Sequence, residues 1–199
     1  MQQIRCTGTF SQITADYGIS SYFADERSIY VNLYVPSKMT WQRGSHRVGL
    51  MQQTKYPHEA STRIEVAAEK PADIEMMLRI PAWAGAKTAI SVNSKRVASS
   101  PKPGKFASLR RTWKNGDRVE IEFDMPTVLE AVDPQHPDLL APVHGPLALS
   151  SVGEVPASLT KQQLLAATRV VQTGKQSWLR ERSRCDRLRR SRMSTIGCI

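Results

Sequence analysis

Cysteine is scarce in this chain and poorly placed for chemistry. The three present, Cys6, Cys185 and Cys198, are spread over 199 residues. An odd count at wide spacing does not make a disulfide framework, and no CxxC pair exists. There is no run of about 18 apolar residues, so no transmembrane helix and no membrane partner are expected. The opening Met1-Gln-Gln-Ile-Arg-Cys6 lacks the basic-then-apolar pattern of a secretory signal, which predicts a cytoplasmic chain. P-loop, GxSxG and dinucleotide fingerprints are all missing, and His46, His58, His136 and His144 show no HxxxH metal spacing.

What is present is enough for a folded domain. Hydrophobic residues make up 40% of the chain, which argues against wholesale disorder. The formal net charge of +10 is unevenly spread. From Arg180 to Ile199 seven arginines face only Glu181 and Asp186, so this stretch holds half of the total. The rest is mildly basic. That distribution argues against a folded nucleic-acid-binding face and for a basic, low-complexity, disordered tail over 180–199.

Between these limits the apolar period is two. Ile29, Val31, Leu33 and Val35 alternate with Tyr30, Asn32 and Tyr34. Further alternating runs carry Val48 and Leu50, Ile64 and Val66, then Met76, Leu78 and Ile80. Ile90 and Val92 follow, then Val119, Ile121 and Phe123, then Leu147 and Leu149. Many short strands with turn signals between them predict an antiparallel β-sandwich. Asn115-Gly116 predicts a tight hairpin turn, because both residues tolerate positive φ. Phe10, Ile13 and Tyr17 stand at helical spacing with Tyr22 and Phe23 behind them, which predicts a short N-terminal helix. Ser158 as a cap before Leu159, Leu164 and Leu165, with Ala166 and Ala167 favouring helix, predicts a weak C-terminal helix.

Candidate sites are few. Glu120 and Glu122 share one face of a strand, opposite Val119 and Ile121. Paired carboxylates can cleave glycosidic bonds, but alternation already explains this pair as a solvated face. Asp133, His136 and Asp138 could approach an ion, although a loop stiffened by two prolines accounts for the segment as well. Trp41, Trp83 and Trp113 could stack on a sugar or pack in the core.

Several strings taken together resemble glycoside hydrolase family 127, the β-L-arabinofuranosidase type. They are Ser28-Ile-Tyr-Val-Asn-Leu-Tyr-Val-Pro-Ser37 with Thr40-Trp41, and Leu78-Arg-Ile-Pro-Ala-Trp-Ala84 with Val92-Asn93. Arg111-Thr-Trp-Lys-Asn-Gly-Asp-Arg-Val119 and His144-Gly-Pro-Leu147 complete the set. The resemblance runs from about residue 5 to about residue 178. It implies a longer protein in which an (α/α)6 barrel carries the active site and β-sandwich domains follow. It also implies a cysteine nucleophile, a glutamate acid/base, and a zinc held by cysteines and a glutamate. Thiolate ligation to zinc lowers the thiol pKa and fixes its geometry. Arg5-Cys6-Thr7-Gly8-Thr9 is similar to the family's paired-cysteine segment. Cys6 then stands at a zinc-ligand position, and Arg5 replaces the nucleophile.

The resulting expectation is a mainly β chain in four parts. Residues 1–27 are the remnant of the barrel's last helix, 28–156 a β-sandwich domain, 157–179 the start of a further segment, and 180–199 the basic tail. The reading assigns no catalytic residue, no cofactor within the fragment, and Cys6 as a vestigial zinc ligand. The partners expected are the missing catalytic barrel and, through exposed Phe10, Ile13, Tyr17, Tyr22 and Phe23, other copies of the chain. Carbohydrate is a further possible partner. A free-standing carbohydrate-binding sandwich is the alternative function.

Overall fold

The structure, a computed structural model, describes residues 17–43, 46–97, 101–152, 160–162, 167–171, 177–181 and 195–197. Two compact units divide at residue 125: Met1–Met125 and Pro126–Ile199.

Among the described residues the first unit contains ten strands. They are β1 (Tyr22–Ala24), β2 (Ser28–Val31), β3 (Ser37–Arg43), β4 (His46–Thr54) and β5 (Ser61–Ala68). β6 (Ala72–Arg79), β7 (Ala89–Val92), β8 (Lys95–Arg96), β9 (Phe106–Trp113) and β10 (Arg118–Glu122) follow. They form a four-stranded sheet in the order β1-β2-β6-β9 and a six-stranded sheet in the order β3-β4-β5-β10-β7-β8. Pairing is antiparallel except between β2 and β6, which run parallel. Mainly antiparallel β architecture, as the alternation predicts, is what the chain adopts.

The period of two builds the core. Ile29 and Val31 on β2, Ile74, Met76 and Leu78 on β6, and Leu109 and Trp113 on β9 are all buried. They share one apolar cluster with Val48 and Leu50, Ile64 and Val66, Ile90 and Val92, and Val119 and Ile121 of the other sheet. Residues between these positions face outward, as alternation along a pleated strand requires. Each fully buried aliphatic side chain contributes about 1.5–3 kcal/mol.

Local departures from the expected pattern have local causes. β2 ends at Val31, so the alternation does not carry through to Val35. Tyr34 is buried and donates its hydroxyl to the Arg79 carbonyl at 2.7 Å, while Val35 is exposed. Of the expected N-terminal helix, Tyr17–Ile19 form one helical turn, and Tyr22 and Phe23 belong to β1 instead. Pairing with β2 through Tyr22–Val31 and Phe23–Tyr30 draws them into the sheet. Phe10 and Ile13 lie outside the described residues. Asn115-Gly116 does not close a hairpin, because β9 and β10 lie in different sheets. It carries the chain across the sandwich, with Gly116 at φ 82°. The tight two-residue hairpin is Asn93-Ser94 between β7 and β8, where φ is 50° and 64°.

The second unit holds β11 (Thr127–Ala131), β12 (Leu140–His144) and β13 (Leu147–Ala148) in one antiparallel sheet. β14 (Ser150–Val152), β15 (Ala167–Val171), β16 (Ser177–Glu181) and β17 (Thr195–Gly197) form another, in the order β14-β17-β16-β15. Two findings here correct the sequence reading. Ala167, counted there as helix-favouring, opens a strand. Part of the expected disordered tail is also ordered: Arg180 and Glu181 close β16, and Thr195–Gly197 pairs with both β14 and β16. Backbone pairing decides this, and it leaves no apolar period in the sequence to read. The remaining tail residues, and Ser158, Leu159, Leu164 and Leu165, lie outside those described.

Candidate functional site

The outer face of the six-stranded sheet carries the acidic pair. β10 turns Val119 and Ile121 into the core and leaves Glu120 and Glu122 on the opposite side. Glu120 does not stand alone. Arg63 on β5, its direct cross-strand partner, donates Nε–H to Glu120 Oε1 at 2.9 Å, and its Nη2 lies 2.8 Å from the same oxygen. A shallow open groove of about 530 Å3 runs over this pair, lined among others by Gln53, Lys55, Ser61, Ser91 and Glu122. A second ion pair, Lys55–Glu59 at 3.0 Å, stands among its lining residues. These are exposed pairs, each worth about 0–1 kcal/mol. The groove lining is therefore solvated, and its charges are largely paired with one another.

The tryptophans separate clearly. Trp113 is fully buried and donates its indole N–H to the Ile74 carbonyl at 3.0 Å, so it has no face for a sugar. Trp41 is half-buried against the core. Trp83 follows Pro81 in a turn closed by the bond from Ala84 N–H to the Pro81 carbonyl. Its ring stacks on Tyr56 with centroids 6.2 Å apart and planes at 14°. Tyr34 and Phe123 complete this aromatic group, with Phe123 5.1 Å from Tyr34 and 5.7 Å from Trp83. Burial pushes the Tyr56 hydroxyl pKa up to about 12 and raises that of Tyr34 further, so neither phenol ionises near neutrality. The cluster closes one end of the sandwich. Sequence reading missed it because its four members come from four distant segments.

A buried polar knot lies where β9 crosses to β10. Asp117 Oδ1 accepts from Asn93 Nδ2 at 2.8 Å, and Oδ2 accepts from the Lys114 N–H at 2.9 Å. Asn93 Oδ1 in turn accepts from the Arg118 N–H at 2.8 Å. Arg111 sets its guanidinium 3.7 Å from Asp117 and 5.2 Å over the Trp113 ring. Burial works to raise the Asp117 pKa. The Asn93 and Lys114 hydrogen bonds and the nearby positive charges outweigh it, holding the carboxyl below its ordinary value of 3.8. This is a structural clamp. Both carboxylate oxygens are engaged by the protein itself.

The other candidates do not assemble into a site. In the second unit Asp133 accepts from the backbone of Gln135 and His136 and from the His136 ring at 2.9 Å. The His136 bond is the main reason its pKa is lowered. Asp138 is exposed in the same loop. His144 shares a 2.9 Å hydrogen bond with Thr127. Cys6 lies outside the described residues. Among the described residues no three His, Cys, Asp or Glu side chains converge on one point, so they do not fit the zinc centre that the resemblance implies.

A β-sandwich with solvated outer carboxylates and an aromatic-capped core is the class this geometry defines. Residues 28–125 match the family model described as Beta-L-arabinofuranosidase, GH127 middle domain. The fold is similar to a GH127 β-L-arabinofuranosidase from Geobacillus stearothermophilus T6, with TM-score 0.63 and 28% identity over 71% of this chain and 23% of that one. It is also similar to a GH127 β-arabinofuranosidase, with TM-score 0.57 and 28% identity over 66% of this chain and 23% of that one. A structure titled glycoside hydrolase shares the fold at TM-score 0.63 and 22% identity, over 89% of this chain and 33% of that one. No curated protein gives a match. Residues 28–125 are a middle domain of glycoside hydrolase family 127. The chain spans between about a quarter and a third of the length of these solved relatives.

Proposed function

We propose that this chain is a non-catalytic β-sandwich region of a β-L-arabinofuranosidase-type glycoside hydrolase, inactive by itself. The observation that carries this reading is the match of residues 28–125 to a middle domain, in a chain covering 23% of the first solved relative. The side chains agree with it. Glu120 is held by Arg63, Asp117 is held by Asn93 and Lys114, and Trp113 is enclosed. The role left to such a domain is to support a neighbouring catalytic domain, which would supply the nucleophile, the acid/base and any zinc.

The alternative, a free-standing carbohydrate-binding module, calls for exposed coplanar tryptophans on one face. Trp113 is buried and Trp83 already stacks on Tyr56, so that requirement is poorly met. The test is direct. The purified chain, incubated with an aryl β-L-arabinofuranoside with and without zinc, should release no phenol above buffer. Turnover that disappears in Cys6→Ala, or in Glu120→Gln, would overturn the proposal.

A further inference from the structure

The chain holds three asparagines, Asn32, Asn93 and Asn115, and only Asn115 precedes a glycine. That pair carries a latent reaction. The backbone nitrogen of the following residue can attack the side-chain amide carbon, and glycine, with no side chain, hinders the attack least. Leu33 and Ser94 set a side chain beside the nitrogen that would attack Asn32 or Asn93. Asn115 and Gly116 are both exposed, so water and base reach them. The fold nevertheless holds each reacting group. Asn115 Oδ1 accepts from Ala68 N–H at 3.2 Å, and Gly116 N–H donates to the Val66 carbonyl at 2.8 Å. Val66 N–H in turn donates to the Asp117 carbonyl at 2.8 Å, so this stretch of the crossing is pinned to β5 on both sides of the reacting nitrogen.

Ring closure is incompatible with these bonds. The Gly116 nitrogen gives up its proton to base, and its electron pair forms a bond to Asn115 Cγ. The bond from Cγ to Nδ2 breaks, and that nitrogen takes up a proton and leaves as ammonia. The product is a cyclic imide whose nitrogen carries no hydrogen, so the bond from Gly116 to Val66 must be lost before the ring can form. Water then opens the imide at one of its two carbonyl carbons. Attack at Cγ leaves aspartate with the main chain unchanged. Attack at the backbone carbonyl carbon leaves isoaspartate, in which the main chain is longer by one methylene carbon. That carbon shifts Gly116 and Asp117 out of step with Val66, Asn93 and Lys114, the partners that hold the crossing.

We propose that Asn115 is a self-modification site, closed while the crossing between β9 and β10 is formed and opened when that crossing releases, with isoaspartate as its irreversible mark. The full 199-residue chain is held at mildly alkaline pH, native and in urea. Peptide mass spectrometry that resolves asparagine, aspartate and isoaspartate follows each position. In urea Asn115 should convert while Asn32 and Asn93 persist. In the native chain Asn115 should convert at least about tenfold more slowly, because attack waits on local opening. Hydrogen exchange of the Gly116 amide in the native chain should show protection of the same size, since both processes need the same bond broken. Asp117→Ala, which frees Asn93 and the Lys114 N–H, should raise the native rate about fivefold or more. An unfolding curve establishes that this variant is folded, and the hydrogen-exchange comparison stands without any variant. Equal rates in native and unfolded chains would overturn the proposal. So would an Asn115 that survives in urea, a Gly116 amide that exchanges freely in the native chain, or a folded Asp117→Ala variant that converts no faster than wild type.

Discussion

Asn93 donates a side-chain hydrogen bond to Asp117 at 2.8 Å, and this one bond ties the β7–β8 hairpin turn to the segment that crosses between the two sheets. Around it the chain is locked further. Asn115 Oδ1 accepts from Ala68 N–H at 3.2 Å, and Gly116 N–H donates to the Val66 carbonyl at 2.8 Å. Twenty-four residues apart in sequence, Asn93 and Asp117 fix how the end of the six-stranded sheet meets the crossing strand.

Removing that carboxylate should be costly. Asp117→Ala leaves the Asn93 amide and the Lys114 N–H without their acceptor, and should lower unfolding free energy by about 1–3 kcal/mol. Urea denaturation followed by intrinsic fluorescence checks this, with Trp113 beside the site as reporter.

The same carboxylate sets a pH dependence. Its folded pKa lies below the ordinary 3.8, so Asp117 contributes stability above that value. The contribution is lost as pH falls through the lower folded pKa. Wild type should therefore lose stability between about pH 5 and pH 2 more steeply than Asp117→Asn does. Parallel curves for the two proteins would show that Asp117 is not a linked group.

Ser94 sits at φ 64°, where an L side chain is strained and glycine is not. Ser94→Gly should stabilise the hairpin by about 0.5–1 kcal/mol, since Asn-Gly is the preferred pair for such a two-residue turn. A rise in thermal midpoint with unchanged circular dichroism is the expected result. A fall would mean that the Ser94 side chain makes a contact that outweighs the strain.

Gly85 is constrained by space. A Cβ there would run into the carboxylate of Asp124, which accepts from the Lys87 N–H at 3.0 Å and so is held in place. Gly85→Ala should cost about 1–3 kcal/mol. Combining it with Asp124→Ala should recover part of that loss, which a double-mutant comparison of denaturation midpoints measures.

Glu120 and Arg63 should matter little. Their pair is exposed, so Glu120→Gln should shift stability by less than about 1 kcal/mol, and raised salt should shrink even that difference. A larger loss in chemical denaturation would point to a role for the pair beyond a solvated bridge.

Much of this architecture is legible in the order of residues alone. The alternation of Val48 and Leu50, Ile64 and Val66, Met76 and Leu78, and Val119 and Ile121 names the inward face of β4, β5, β6 and β10. A buried face must repeat every second residue on a pleated strand. Glu120 and Glu122 are readable as a solvated pair for the same reason. The motif strings from Ser28 to Val119 identify the family to which residues 28–125 prove to belong.

Other features only tertiary structure decides. Asn115-Gly116 has the composition of a hairpin turn, yet it crosses between sheets, because composition sets the allowed φ and not which strand waits on the far side. Tyr34 leaves the alternation of β2 and is buried where Tyr56, Trp83 and Phe123 gather, and no local pattern announces a meeting of four segments. Phe23 reads as helical by spacing, but pairing with Tyr30 makes it part of a sheet. Local sequence fixes which side chains can face a core and which backbone angles are cheap. Which strand lies beside which depends on burial summed over residues far apart along the chain, and no short stretch of sequence holds that sum.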